Sequence, residues 1–392
     1  MNTQAPFQLK LGVIGAPPHW PGPDGTLRAF EPYVREMRVW ADLFAEVVIC
    51  AHAGEGAMKG NLAPYGRENI EIRQVRYTTD HGFSGARRRL VELPSLTLSA
   101  RRTISDTDFA LLRSPSHFGL VGIALVRLMG KGSITKWAGG YGAFRGERIP
   151  TRVNRWLESL IGKNHVTLVY GEAHRPHHVS FIPALMTSDE IAAGRRAGET
   201  RRWEPPWQIL CVGRLELVKN FDLVLRALGD LARTSPALPW RFTMIGGGRE
   251  EQHLRALARE CAIADRVTFT GPLQFAEVQK HYGAAHVVIM PGVQEGWPKV
   301  IAEAWAHGAL PLGARGGIVP WILRDPGSGA VFDATPASLA GALGTLLADP
   351  ARLASMSQGL YGRAGEMSLD QFRLRLERVL TERCGLAREH AL

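Results

Sequence analysis

Short runs of β-forming residues alternate with helical patterns along the whole chain, and this alternation restricts the fold more than any other feature. The β-type runs in the first half are 9–14, 46–50, 70–75, 109–112, 133–137 and 166–170. Between them, 28–43, 118–129 and 152–162 carry apolar residues three and four positions apart, the spacing of one helix face. Strand, helix and strand repeated in this way give parallel sheets with crossover helices. The pattern stops in 187–206, a polar stretch with two Arg-Arg pairs that ends in Glu204-Pro205-Pro206, and restarts with strands at 207–212, 241–245, 267–270, 286–290 and 310–313. The helices of this second set are expected at 220–234, 250–260, 275–282 and 299–307. A chain of 392 residues is long enough for two cores. The expected class is α/β, with two successive doubly wound domains and a ligand in the cleft between strand C-termini. The expected boundaries are 1–186 for the first domain, 187–206 for a linker and 207–366 for the second domain. An amphipathic helix in 367–392, capped by Ser368 and carrying Leu369, Phe372, Leu376 and Leu380, is expected to return to the first domain.

Charge narrows the partner. Residues 1–185 hold 23 Lys and Arg against 15 Asp and Glu, whereas 186–392 hold 24 against 22. The first half is therefore the one to meet an acidic partner, although a soluble basic surface explains the excess equally well. Nucleic acid is disfavoured, because no aromatic-interleaved basic motif accompanies the charge. Cys50, Cys211, Cys261 and Cys384 are far apart, so neither a disulfide framework nor a zinc knuckle is expected. The longest apolar stretch, 118–130, is interrupted by Arg127 and falls short of the ~20 residues of a membrane span. No leader of the secretory type is seen, and a cytoplasmic protein, at most peripheral at a membrane, is expected.

Three segments of the second half carry candidate chemistry. In 212–220, Val-Gly-Arg-Leu-Glu-Leu-Val-Lys-Asn, a strand ends and Arg214 and Lys219 precede a helix. A fork of donors, a point charge and a helix dipole suit a diphosphate, and a solvated loop with incidental cations is an equal alternative. Gly246-Gly247-Gly248 follows the next strand and permits close backbone approach, though a glycine triplet alone reads first as an ordinary turn. Between Glu295 and Glu303 lie Gly296, Trp297, Pro298, Lys299 and Val300 at a helix start, where backbone N–H groups can meet phosphate or sugar oxygens. Pro298 suits the first helical turn, and a buried Glu303 requires a partner that ligand hydroxyls would supply.

These segments in this order, with Phe-Thr-Gly-Pro-Leu at 269–273 and Gly316-Gly317, resemble the second domain of family 4 glycosyltransferases, which have the GT-B fold. The resemblance covers most of 207–335. It implies a retaining transferase that moves a sugar from a nucleoside diphosphate-sugar, with two Rossmann-like domains facing a central cleft. Arg214 and Lys219 would hold the diphosphate, Glu303 the ribose hydroxyls and Glu295 the sugar near its anomeric carbon. The loop at Gly247 and that at Leu273 would complete the donor site, Leu273 against the base. No metal or other cofactor is implied, because the cation pair stabilises the leaving group. Trp297-Pro298 stands where the family has Phe-Gly, and Trp321 where an acidic residue often follows the glycine pair.

The first domain resembles the family mainly in architecture. Gly22 and Gly25 in 16–26 occupy the place of a glycine-rich loop facing donor phosphates. In 108–117 the family's His is replaced by Arg113, with His117 two residues after Pro115. Arg113 cannot serve as a base but can bind acceptor or phosphate, and His117 has the range for proton exchange. The loop 136–142, with Trp137 and Tyr141 around glycines, suits a sugar ring or close packing. Arg87-Arg88-Arg89 and Arg101-Arg102 frame Leu90, Val91, Leu93, Leu96 and Leu98, a combination that suits a membrane surface or a solvated face. His174, His177 and His178 lack an accompanying ligand at metal-site spacing. The expected function is sugar transfer to a carbohydrate or lipid-linked acceptor in surface polysaccharide or glycoconjugate synthesis. The rivals are an epimerase or phosphorylase of the same fold, or a non-catalytic nucleotide-binding relative.

Overall fold

The computed structural model describes residues 5–54, 61–78, 83–142, 147, 149–161, 164–183, 186–293 and 296–387. The chain divides into two compact units, Met1–Ile182 with Phe372–Leu392, and Pro183–Gln371.

Unit 1 contains β1 (Phe7–Pro21), β2 (Leu27–Phe30), α1 (Glu31–Leu43), β3 (Phe44–Ala53), β4 (Leu62–Pro64), β5 (Ile70–Val75), α2 (Phe83–Ser105), β6 (Phe109–Ser114), α3 (His117–Met129), β7 (Ser133–Gly140), α4 (Ile149–Ser159), β8 (His165–Tyr170) and β9 (His178–Ser180). Its parallel strands run β5-β3-β1-β6-β7-β8-β9, so the winding reverses between β1 and β6. One core under α2, α3 and α4 joins Leu96, Ala100 and Ile104 to Phe118, Val121 and Val126 and to Ile14, Ala110 and Leu112 of the sheet. α3 has clear local signals at both ends. The Ser116 hydroxyl accepts from Gly119 N–H, and Gly130 closes the helix at φ 64°.

The segment 16–26 forms a hairpin rather than an open loop. β1 is 15 residues long and runs on into a hairpin in which Trp20 pairs with Arg28 and Pro21 with Leu27. Pro23-Asp24-Gly25 supplies the turn: Asp24 accepts from Thr26 N–H and Oγ1–H, and Gly25 takes φ 76° at an exposed tip.

Unit 2 begins with α5 (Ser188–Glu199), continues through β10 (Trp207–Val212), α6 (Phe221–Thr234), β11 (Trp240–Ile245), α7 (Glu251–Glu260), β12 (Val267–Gly271), α8 (Phe275–Ala284), β13 (Val287–Met290), α9 (Lys299–Ala306), β14 (Leu310–Ala314), α10 (Val319–Ile322) and β15 (Ala330–Phe332), and closes with α11 (Pro336–Leu347) and α12 (Pro350–Gly365). The sheet order is β12-β11-β10-β13-β14-β15, all parallel, with the reversal between β10 and β13. The stretch 187–206, expected as a linker, contains α5, a helix of this unit with a full capping box between Thr187 and Glu190. The last helix, α13 (Leu369–Glu382), straddles the division, and its Phe372 packs edge-on to Phe181 of unit 1 at 5.3 Å.

Candidate functional site

In an open parallel sheet, the loops leaving neighbouring strands diverge where the winding reverses, and they leave a crevice beyond the strand C-termini. Unit 2 places two of the candidate segments there. Val212 ends β10, Arg214 lies exposed just beyond it, and Lys219 closes a single 3-10 turn, Leu217–Lys219. Asn220 then takes φ 59° and opens α6, while its Nδ2 reaches Pro291 O at 3.5 Å, tying the loop after β10 to the loop after β13.

The glycine triplet serves that arrangement. A Cβ on Gly246, which has φ 134°, would lie 1.9 Å from Gly213 O, and one on Gly248 would lie 2.2 Å from Leu215 O. Gly213 N–H donates to Ile245 O, and Leu215 N–H donates to Gly247 O, both at 3.0 Å. The glycines therefore let the 213–215 and 246–248 backbones touch. Gly247 itself abuts Pro272, and Leu273 packs on the core cluster of Leu210, Ile245 and Tyr282. Gly316 is needed in the same way, since a Cβ there would meet Val293 O at 2.4 Å.

Glu295 lies outside the described residues. Gly296 and Trp297 are half-buried before α9, and Pro298 precedes the helix as its N-cap residue, one position outside the first turn expected for it. The segment's extended entry (Pro298 ψ 95°) starts the helix at Lys299, with Val300 resting on the same core cluster as Leu273.

Glu303, on the second turn of α9, has a protein partner that the sequence did not show. The fully buried Tyr282 O–H of α8 donates to Glu303 Oε2 at 2.6 Å. Burial pushes the Glu303 carboxyl up, and the Tyr282 hydrogen bond and the Lys299 charge oppose it. Tyr282 stacks in turn on His307 at 5.5 Å. One carboxylate oxygen of Glu303 is thus held in place, which orients the other.

Unit 1 has its own crevice at its own reversal, between β1 and β6. A cavity of about 390 Å³ there is lined by Gly15, Ala16, His52, Arg89, His117 and Asn154 among others. His117 is the first residue of α3 and sits against Tyr77, ring to ring at 5.9 Å. Burial, and then the Arg89 charge, lower its pKa.

Arg113 is engaged in an internal ion pair. Its guanidinium lies 3.4 Å from Glu36 of α1 and 4.8 Å over the Tyr33 ring, and Lys136, 3% exposed, pairs with the other oxygen of Glu36. Burial works to raise the Glu36 pKa, but the two cations hold it below the usual carboxylate value. Arg113 and Lys136 are register partners on β6 and β7, so both side chains leave the same sheet face toward α1. The segment 136–142 proves to be largely strand, and Trp137 and Tyr141 are buried against Val169, 4.9 Å apart. The packing reading of that segment holds.

The histidines after β8 gather around a carboxylate. Glu158 of α4, fully buried, accepts from Thr167 at 2.5 Å, from His177 Nε2 at 2.7 Å and from Tyr141, and His178 Nε2 lies 3.4 Å from it. The potential ligand atoms of Glu158, His177 and His178 lie within 4.8 Å of one another. His178 Nδ1 accepts from the His174 N–H at 3.4 Å, and its buried Nε2 stands beside Glu158 without a hydrogen bond. A hydrogen-bonded knot accounts for the group. Burial works against its charge, but these donors hold the Glu158 carboxyl at about 2.

The family-model match lies within unit 2. Residues 198–363 match the family model described as glycosyl transferases group 1. The D-inositol 3-phosphate glycosyltransferase of Acidothermus cellulolyticus is 31% identical over 222 residues, 54% of this chain and 48% of that protein. The GDP-mannose-dependent alpha-(1-6)-phosphatidylinositol monomannoside mannosyltransferase of Mycolicibacterium smegmatis is 33% identical over 179 residues, 44% of this chain and 46% of that one. The chain spans about half the length of these curated relatives. Among solved structures, Anabaena Alr3699/HepE in complex with UDP superposes with a TM-score of 0.69 at 12% identity, covering 95% of this chain and 99% of that one. WaaG, a glycosyltransferase involved in lipopolysaccharide biosynthesis, gives 0.61 at 13%, covering 95% and 100%. The fold is GT-B.

Proposed function

We propose that this chain, whose residues 198–363 match the group 1 glycosyl transferases, moves a hexose from a nucleoside diphosphate-sugar to a carbohydrate or lipid-linked acceptor, with retention of configuration and without a metal. The observation that carries the reading is the position of the Arg214–Lys219 loop and of the loop leading to Glu303, side by side at the winding reversal of unit 2. As the bond from anomeric carbon to phosphate oxygen breaks, negative charge grows on the departing diphosphate. Arg214, Lys219 and the N–H groups that open α6 and α9 stabilise that charge where a metal would otherwise do so. The free oxygen of Glu303 accepts from a ribose hydroxyl, and Glu295 meets the sugar. The acceptor hydroxyl attacks the face the diphosphate leaves and gives its proton to a β-phosphate oxygen, so no protein base is required. The crevice in unit 1, with Arg89, His117, Asn154 and the start of α3, suits a hydroxyl-rich acceptor that carries phosphate. The names of the two curated relatives, an inositol phosphate and a phosphatidylinositol mannoside transferase, support that acceptor class, and the UDP complex of HepE supports the donor class. Assembly of a surface polysaccharide or glycoconjugate is the role that fits.

The test is transfer from UDP- and GDP-hexoses to phosphorylated polyols and lipid-linked sugars, with EDTA present and the product anomer read by proton NMR. An α-donor giving an α-product at an undiminished rate supports the reading. A β-product, or activity abolished by EDTA and restored by a divalent cation, refutes retention or metal independence respectively.

A further inference from the structure

We infer that the outer face of α2, α3 and α4 docks unit 1 on an anionic lipid bilayer. The three helices lie side by side on one face of the sheet, with their inner residues in a single core and α3 touching both neighbours. Their outer faces are unusually apolar. On α4, Ile149 is 73% exposed and Trp156 60%, with Val153 between them at helical spacing. Leu128 at the end of α3 is 82% exposed, and Leu90 and Val91 of α2 are 71% and 75% exposed. Large apolar groups left in water at this density mark a surface that is covered in use.

Charge selects the occupant. Every exposed charge on the described residues of these helices is positive: Arg87, Arg88, Arg101 and Arg102 on α2, Arg127 on α3 and Arg152 on α4. The three helices contain two carboxylates, Glu92, which accepts from Thr78 N–H, and Glu158, which is fully buried. A second copy meeting this face with its own would set arginine against arginine. A bilayer of anionic lipid offers hydrocarbon to Ile149, Trp156 and Leu128 and phosphate to the arginines around them. No helix among the described residues is long and apolar enough to cross a membrane, so the face rests on the surface. The inference deepens the lipid-linked reading of the acceptor, and its test uses no nucleotide, so either can fail alone.

The full chain is sedimented with phosphatidylcholine vesicles with and without phosphatidylglycerol, alongside Ile149→Ser/Trp156→Ser and Arg127→Gln/Arg152→Gln, and its mass is followed by light scattering. Binding at least about tenfold tighter to the anionic vesicles, weakened by salt and by both double variants, supports the inference. Absence of vesicle binding, equal binding by the Ile149/Trp156 variant, or a dimer which that variant dissociates would overturn it. Both pairs are exposed, so the variants keep the fold, and unchanged circular dichroism checks this.

Discussion

Replacing Tyr282 by Phe isolates the contact that holds Glu303. The substitution removes one oxygen and keeps the ring that packs in the core with Leu210, Val288 and Ala304. Tyr282 O–H donates to Glu303 Oε2 at 2.6 Å from a fully buried position, so no water replaces the lost donor. A hydrogen bond to a charged acceptor contributes about 1.5–3 kcal/mol and a neutral one about 1 kcal/mol. The loss should therefore depend on pH. The folded Glu303 pKa is raised above its ordinary 4.5. A group of that kind contributes stability that is fully present below its unfolded pKa and is lost as pH rises through the folded value. Below 4.5 the carboxyl is protonated in both proteins, and the variant is weaker by about 1 kcal/mol. As pH rises through the folded value the carboxyl ionises, and the deficit grows toward about 2 kcal/mol, roughly 30-fold in the folding constant. Urea unfolding of unit 2, followed at pH 4 and pH 8 in wild type, Tyr282→Phe and Glu303→Gln/Tyr282→Phe, measures it. A deficit that stays flat with pH, or one near zero, refutes the reasoning that Tyr282 holds an ionised Glu303.

Three further outcomes are expected. Glu36→Gln leaves Arg113 and the buried Lys136 without their carboxylate and costs about 3–5 kcal/mol in denaturant unfolding, whereas a cost under about 1 kcal/mol would mean the three charges are not coupled. Glu158, held at about 2, contributes stability that is present above its ordinary 4.5 and lost as pH falls toward 2. That is worth roughly 3 kcal/mol, so an acid titration of unit 1 stability should flatten in Glu158→Gln and would contradict the account if it did not. Gly246→Ala forces a Cβ to 1.9 Å from Gly213 O and should lower stability by several times the ~1 kcal/mol expected of Gly25→Ala, whose Cβ meets nothing within 4 Å. Equal thermal shifts for the two would remove the close-approach argument.

The alternation of strands and helices was legible because most elements bury an apolar face, and periodicity records that face. α5 escaped because its buried face is glycine. Gly194 and Gly198 are its buried residues, and a Cβ on Gly198 would lie 2.1 Å from His307 O. Apolar spacing cannot report such a contact, although Thr187-x-x-Glu190 was a capping-box signal available in the sequence. The hairpin after β1 was missed for a related reason: its residues extend a strand beyond the apolar run, and only Pro23-Asp24-Gly25 marks the turn. In the candidate site, Arg214, Lys219 and Glu303 were visible from their place at strand ends and helix starts. Their supports were not. Tyr282 is 21 residues from Glu303 and Glu36 is 77 from Arg113, and polar pairs at such separations leave no periodic trace. Arg113 stands out in the sequence, and the structure pairs it with Glu36 of α1. The histidine cluster was likewise set aside for want of a carboxylate, which α4 supplies from 19 residues upstream of His177.

The central claim is that the winding reversal of unit 2 binds a nucleoside diphosphate through Lys219 and Glu303. Titration calorimetry of UDP, GDP, ADP and TDP against wild type, Lys219→Ala and Glu303→Gln tests it most directly, since Gln keeps an acceptor for Tyr282 and preserves the fold. The account predicts that one base binds near micromolar affinity, about −8 kcal/mol, and that each variant loses at least about tenfold. Binding of none of the four, or binding that both variants retain in full, would contradict it.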